Sequence, residues 1–163
     1  QREISRTITL LMKKKAEEAA QAHRKPDSSV MMARGSRFAW PVRGEISSTF
    51  GLRVHPTFKT KMMHTGIDIR AARGVPVRAA GPGEVLYSGW LRGYGQIVIV
   101  DHGNSLTTVY AHLSSSVVEE GMPVKEGQTI GTVGSSGTAT GAHLHFEVRV
   151  NGDARDPFAY LRR

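Results

Sequence analysis

Glycine placement constrains this chain more than any other feature. Gly66, Gly74, Gly81, Gly83, Gly89, Gly93, Gly95, Gly121, Gly127, Gly131, Gly134, Gly137 and Gly141 interrupt the stretch after Phe38 every few residues. Glycine weakens a helix interior and serves tight turns, so short strands joined by turns are what this pattern permits. β-branched and apolar runs lie between the turns. Residues 97–100 form a strand, Asp101-His102-Gly103-Asn104 supply a turn, and residues 106–111 return. Residues 85–87 and 129–133 are further strand candidates, and residues 144–150 alternate apolar with polar. Strands this short and this regularly interrupted predict an all-β sandwich or open barrel. Its core candidates are Phe38, Val85, Ile97, Ile99, Val109, Ile130, Val133, Leu144, Phe146 and Val148. Gly74-Val75-Pro76-Val77 and Gly121-Met122-Pro123-Val124 echo each other, either as a duplicated hairpin unit or as two similar turns.

The texture before Phe38 is different. Ile4, Ile8 and Leu11 fall on one face of a helix, and the alanines and glutamates of residues 16–22 favour or tolerate that state. Residues 1–25 therefore read as an N-terminal helical segment. The apolar stripe fades after Met12, as at the end of a coiled coil or a docking helix. Pro26 ends it, and residues 26–37 read as a linker to a domain at 38–163. Length suits one domain with a modest tail. No run of apolar residues is long enough for a membrane span. The chain opens at Gln1 without a legible signal peptide, which fits a processed or trimmed chain whose targeting segment lies upstream.

The formal charge is +8. Residues 1–36 carry eight Lys or Arg against four acids, and the remainder fourteen against ten, so each part contributes +4. Such an excess steers toward nucleic acid, anionic lipid or an anionic wall polymer, or is simply a solvated basic surface. With no cysteine in the chain, disulfides, Cys-ligated zinc and a Cys nucleophile are excluded.

The remaining chemistry lies in histidines. His64 and Asp68 are four apart, in a context that reads as a loop entering a strand. His143 and His145 are two apart, so in a strand they share a face and reach one cleft. Catalytic zinc takes three nitrogen or oxygen ligands from the protein and keeps a fourth position for water. His112 ends a strand-like run and would share a face with Tyr110. Each spacing alone also fits ordinary sheet or surface histidines. Glu147 either anchors a ligand histidine or forms a surface ion pair. His102 in its turn reads as solvent-facing, and His23 as inert. His55, Arg53 and Asn104 read as loop or groove residues. Gly134 to Gly141 lacks the Gly-Lys-Ser/Thr ending of a phosphate loop and reads as a β loop beside a groove.

These residues sit in longer stretches. Met63-His64-Thr65-Gly66-Ile67-Asp68-Ile69, Gly74-Val75-Pro76-Val77, Gly93-Tyr94-Gly95-Gln96, Val109-Tyr110-Ala111-His112-Leu113-Ser114 and Ala142-His143-Leu144-His145-Phe146-Glu147-Val148 occur in order. Trp40-Pro41-Val42 and Ser48-Thr49-Phe50-Gly51 precede them, and Asp156-Pro157-Phe158-Ala159-Tyr160 follows. This series, covering roughly residues 38–161, resembles the M23 metallopeptidases, the LytM or lysostaphin-like group. The resemblance implies a mainly β fold, the antiparallel sheet of the LytM/lysostaphin-like (duplicated hybrid motif) type, with the helix at its N-terminus. It implies a Zn2+ cofactor held by His64, Asp68 and His145, with His112 and His143 as the unliganded catalytic pair. It implies an endopeptidase acting on peptides of bacterial peptidoglycan, in the periplasm or outside the cell, with an anchor upstream as one option. Under it the anionic partner is the wall and not nucleic acid. The N-terminal helix offers a surface for an envelope or divisome protein. A wall-binding or regulatory module with little or regulated turnover is the alternative.

Overall fold

The computed structural model describes residues 6–11, 13–14, 37–54, 61–136 and 141–162, and for residues 53, 54, 61 and 62 the backbone only. The far end of the helical segment, the linker at 26–36, His23 and His55 lie outside the described residues, as does the side chain of Arg53.

The strands run β1 (Ile46–Ser48), β2 (Gly51–Val54), β3 (Lys61–His64), β4 (Ile67–Arg70), β5 (Pro76–Arg78), β6 (Gly83–Leu91), β7 (Gly95–Asp101), β8 (Leu106–Ser116), β9 (Pro123–Val124), β10 (Thr129–Val133), β11 (His143–Val150) and β12 (Asp153–Arg155). The main sheet has the order β1-β4-β11-β8-β7-β6-β9. β12 pairs with the outer half of β11, and β10 pairs with both β8 and β5. Every pairing between these strands is antiparallel. β2 and β3 form a separate hairpin ladder that ends at the pair Gly51 and His64. The fold is thus the mainly antiparallel β architecture expected, with short helical structure at residues 6–11 and 13–14.

Alternation within strands divides the side chains between two faces. Leu144, Phe146 and Val148 join Ile67, Ile69, Tyr110, Phe38 and Val85 in one apolar cluster. Leu86, Ile97, Ile99, Val109 and Ala111 form a second cluster, and Ile8 of the helical segment is its fully buried cap. A fully buried isoleucine contributes about 1.5–3 kcal/mol, so one side chain does much to hold that segment on the sheet. All ten core candidates are buried, but Ile97, Ile99 and Val109 belong to the second cluster. The two Pro-Val repeats have like turns: Gly74 and Gly121 take φ of 91° and 90°, and Val77 and Val124 are both buried.

One expectation fails at the β7–β8 turn. His102 does not face solvent; it is 1 % exposed. Gly103, Asn104 and Ser105 all take positive φ, which folds the turn tightly and sends His102 inward. There its Nδ1–H donates to the Pro82 carbonyl at 2.8 Å and its Nε2 meets Thr108 Oγ1 at 2.7 Å. Phe38 lies against its ring, with centroids 4.7 Å apart.

Candidate functional site

β4 and β11 build the centre. Ile67 and Ile69 go to the core, so Asp68 projects from the opposite face. His143, His145, Glu147 and Arg149 alternate with Leu144, Phe146 and Val148, so they project the same way. The register places His145 directly across from Asp68, and His143 across from Arg70. His64 comes from the end of β3 rather than from a loop, and Thr65-Gly66 carries the chain into β4. Gly66 is required here: a Cβ would collide with the Phe146 carbonyl.

Donor atoms of His64, Asp68 and His145 all lie within 4.8 Å of one another. Orientation of the rings supports a metal-binding reading. A carbonyl only accepts, so His64 Nδ1–H donates to Thr49 O at 2.8 Å, and its Nε2 faces Asp68 Oδ2 at 3.4 Å. His145 Nε2 contacts Glu147 Oε2 at 2.7 Å, which turns its Nδ1 toward Asp68 Oδ1 at 2.8 Å. Each ring thus presents one nitrogen to Asp68 while a protein acceptor holds the other. That arrangement of ligand and outer partner suits zinc, which accepts this nitrogen and carboxylate set.

Glu147 is both an anchor and a member of an ion pair, and it is fully buried rather than on a sheet surface. Its Oε1 accepts from Arg149 Nε at 2.6 Å, and its Oε2 accepts from Thr65 Oγ1 at 2.7 Å. Burial opposes its charge, but the hydrogen bonds and charges of His145 and Arg149 outweigh burial and lower its pKa to about 2. Burial likewise opposes ionisation of Asp68, yet hydrogen bonds from His145 and His64 hold it well below the usual carboxylate range. Burial would lower the pKa of His145, but Asp68 and Glu147 raise it to about 9 in the metal-free chain.

His112 and His143 flank this centre, with ring centroids 5.1 Å apart. The His112 ring is also 5.9 Å from that of His145. His112 does not share a face with Tyr110, contrary to the alternation expected. Its φ of 62° and the register shift between β7 and β8 break the period, leaving Tyr110 against Phe146 and His112 in the site. His112 N–H donates to Tyr94 O at 2.9 Å, and its Nδ1–H to Ser136 O at 2.7 Å. His143 Nδ1–H donates to Gly141 O at 2.9 Å. Ser136 and Gly141, two described residues of the 134–141 segment, therefore orient both histidines. Burial lowers the pKa of His112.

Thr49, Thr65, Tyr94 and Ser136 escaped sequence reasoning because they act through backbone carbonyls or across strands, and Arg149 because its pairing with Glu147 shows only in the fold. Only the offset of two from Glu147 to Arg149 was a readable signal. Tyr94 sits in the β6–β7 turn, with its ring 5.8 Å from that of His145. An open groove of about 820 Å³ leads from Asp68 and His143 along β4 to β1.

The fold and this histidine–aspartate cluster define a class: an antiparallel β domain built around a metallopeptidase-type site. The model of Peptidase family M23 matches residues 62–157, and the chain belongs to that family. It is 45% identical over 132 residues to the DD-carboxypeptidase/endopeptidase Mpg of Neisseria meningitidis serogroup B, covering 80% of this chain and 30% of that protein. It is 38% identical over 127 residues to the murein hydrolase activator NlpD of Escherichia coli, covering 77% and 31%. Among solved structures, a zinc-containing peptidase from Vibrio cholerae superposes with a TM-score of 0.71 at 34% identity, covering 74% of this chain and 39% of that one. The chain thus spans about a third or less of these curated relatives.

Proposed function

We propose that this chain is a zinc-dependent endopeptidase that hydrolyses peptide bonds in the stem peptides or cross-links of bacterial peptidoglycan. The observation that carries this reading is the convergence of His64, Asp68 and His145 with two further histidines whose ring orientations are set by backbone carbonyls. His64 Nε2, an Asp68 carboxylate oxygen and His145 Nδ1 are the proposed ligands. Zinc bound there lowers the pKa of a water and polarises a carbonyl.

His143 presents Nε2 to the site, 3.7 Å from Asp68 Oδ1. It is assigned as the base that takes a proton from the attacking water and passes it to the leaving amine. His112 is assigned to the oxyanion. With its Nδ1–H on Ser136, His112 donates from Nε2 only as the imidazolium, whose second proton comes from solvent and not from the attacking water. Relatives named as a DD-carboxypeptidase/endopeptidase, a murein hydrolase activator and lipoproteins support a location in the periplasm or at the cell envelope.

A second reading has support of its own. One relative is named a murein hydrolase activator, and the docked helical segment leaves Leu10 65% exposed. In that reading the domain binds the wall, takes an envelope partner on the helix, and turns over little. Digestion of purified sacculi separates the two. Release of muropeptides by wild type, and not by His145→Ala or His143→Ala, supports the enzyme. Wild type that releases nothing yet pellets with sacculi supports the binding module.

A further inference from the structure

A row of side chains crosses the site face beside the metal centre. The β11–β4 register puts Arg70 directly opposite His143. Directly opposed residues of antiparallel strands have Cβ atoms about 4.5–5.5 Å apart. Asp68 and Arg70 are two apart in β4, so they share a face. Both line the groove that leads from His143 to β1. Arg70 is exposed and forms no ion pair with another described residue, including Glu45 on the same groove. A permanently charged guanidinium with a planar fork of donors therefore stands one strand away from the histidine assigned to the leaving amine.

We propose that Arg70 determines specificity by binding a free α-carboxylate on the amino acid that leaves with the amine. The inference rests on the hydrolytic reading above. Hydrolysis adds water across the peptide bond: hydroxide goes to the carbonyl carbon, the C–N bond breaks, and the departing nitrogen gains the proton. If the departing residue is chain-terminal, or is a diamino diacid cross-linked through the amino group of a carbon that also bears an unsubstituted carboxyl, a free carboxylate stands on the same carbon as the departing nitrogen. That carboxyl carbon lies about 2.5 Å from the scissile nitrogen, set by the N–Cα and Cα–C bonds. Two groups so close on the substrate match two groups on neighbouring strands: His143 serves the nitrogen and Arg70 the carboxylate. A guanidinium receives a carboxylate through two parallel hydrogen bonds, which orients the residue as well as holding it. The substrate class is then peptide bonds whose leaving residue bears a free α-carboxylate. Bonds inside a run of uncharged residues, such as oligoglycine, are disfavoured.

The test uses two N-acetylated peptides ending in D-Ala-D-Ala, one with a free C-terminal carboxylate and one amidated. For wild type with zinc, kcat/KM for the free acid is expected to exceed that for the amide by about tenfold or more, mainly through KM. Arg70→Gln is expected to bring the free acid down to the amide value and leave the amide unchanged, with Arg70→Lys between. Equal rates on both peptides with wild type, or an equal loss on both with Arg70→Gln, overturn the proposal. Binding of each peptide to the metal-free protein is measured in parallel, without turnover. Tighter binding of the free acid, lost in Arg70→Gln, supports carboxylate recognition even if nothing is cleaved; in that case the hydrolytic reading alone fails. Equal binding of acid and amide, with no cleavage of either, overturns the recognition itself.

Discussion

Replacing Glu147 with glutamine tests the arrangement behind the proposed metal centre. The carboxylate accepts on both oxygens: Arg149 Nε reaches Oε1, while Thr65 Oγ1 and His145 Nε2 reach Oε2. A glutamine keeps one acceptor oxygen. Pairing that oxygen with Arg149 puts an NH2 against His145 Nε2, which must then accept. The ring proton moves to Nδ1, the nitrogen proposed for zinc. Loss of such an outer partner costs about 10–100-fold in metal affinity. The loss depends on pH in a definite direction. Wild-type His145 holds its proton up to about pH 9, so zinc must displace it at neutral pH. Glu147→Gln weakens that proton affinity and partly offsets the defect at low pH. Zinc affinity, measured by chelator competition, is therefore expected to fall most at pH 8.5 and less at pH 6.5. Arg149, 1% exposed, loses its ionic partner as well. Breaking a buried pair costs about 3–5 kcal/mol, and the retained acceptor puts this case near about 3 kcal/mol in urea unfolding of the metal-free protein. Zinc affinity within twofold of wild type at pH 8.5 would refute the assigned role of Glu147.

Two further outcomes are expected away from the ligands. Burial lowers the pKa of His102 from its ordinary 6.5 to about 4, so between those values the unfolded chain binds the extra proton. Its contribution to stability is complete above pH 6.5 and shrinks as pH falls toward 4. Between pH 7.5 and pH 5, wild type should lose about 2 kcal/mol relative to His102→Asn in urea titrations, and parallel curves would count against a neutral buried His102. Gly66→Ala would drive a methyl group into the Phe146 carbonyl and push β4 from β11. It is expected to destabilise the fold by about 1–3 kcal/mol or more. An unchanged unfolding midpoint would contradict the close approach at Gly66.

The strand-rich nature of the chain, its core residues and the members of its histidine cluster were legible in the amino-acid order. They rest on local physics: glycine ends regular structure, β-branched runs extend, and alternate residues of one strand share a face. His143 and His145 therefore projected together before any fold was known, and Leu144 was assigned to the core. Other features follow from pairing between distant segments. The left-handed backbone of His112 broke its alternation with Tyr110. Three positive-φ residues turned His102 inward. Cross-strand register, which one strand alone does not encode, set Asp68 against His145 and Arg70 against His143. The carbonyls of Thr49, Ser136 and Gly141 that orient the rings carry no side-chain signature at all. Sequence thus determined which groups are available for the chemistry, because identity and local period are written along the chain. Tertiary structure alone decided which nitrogen each ring presents and what stands beside it, because the partners are backbone carbonyls and cross-strand groups, from Gly141 two residues from His143 to Asp68 on another strand from His145, whose positions follow from the folded path of the chain.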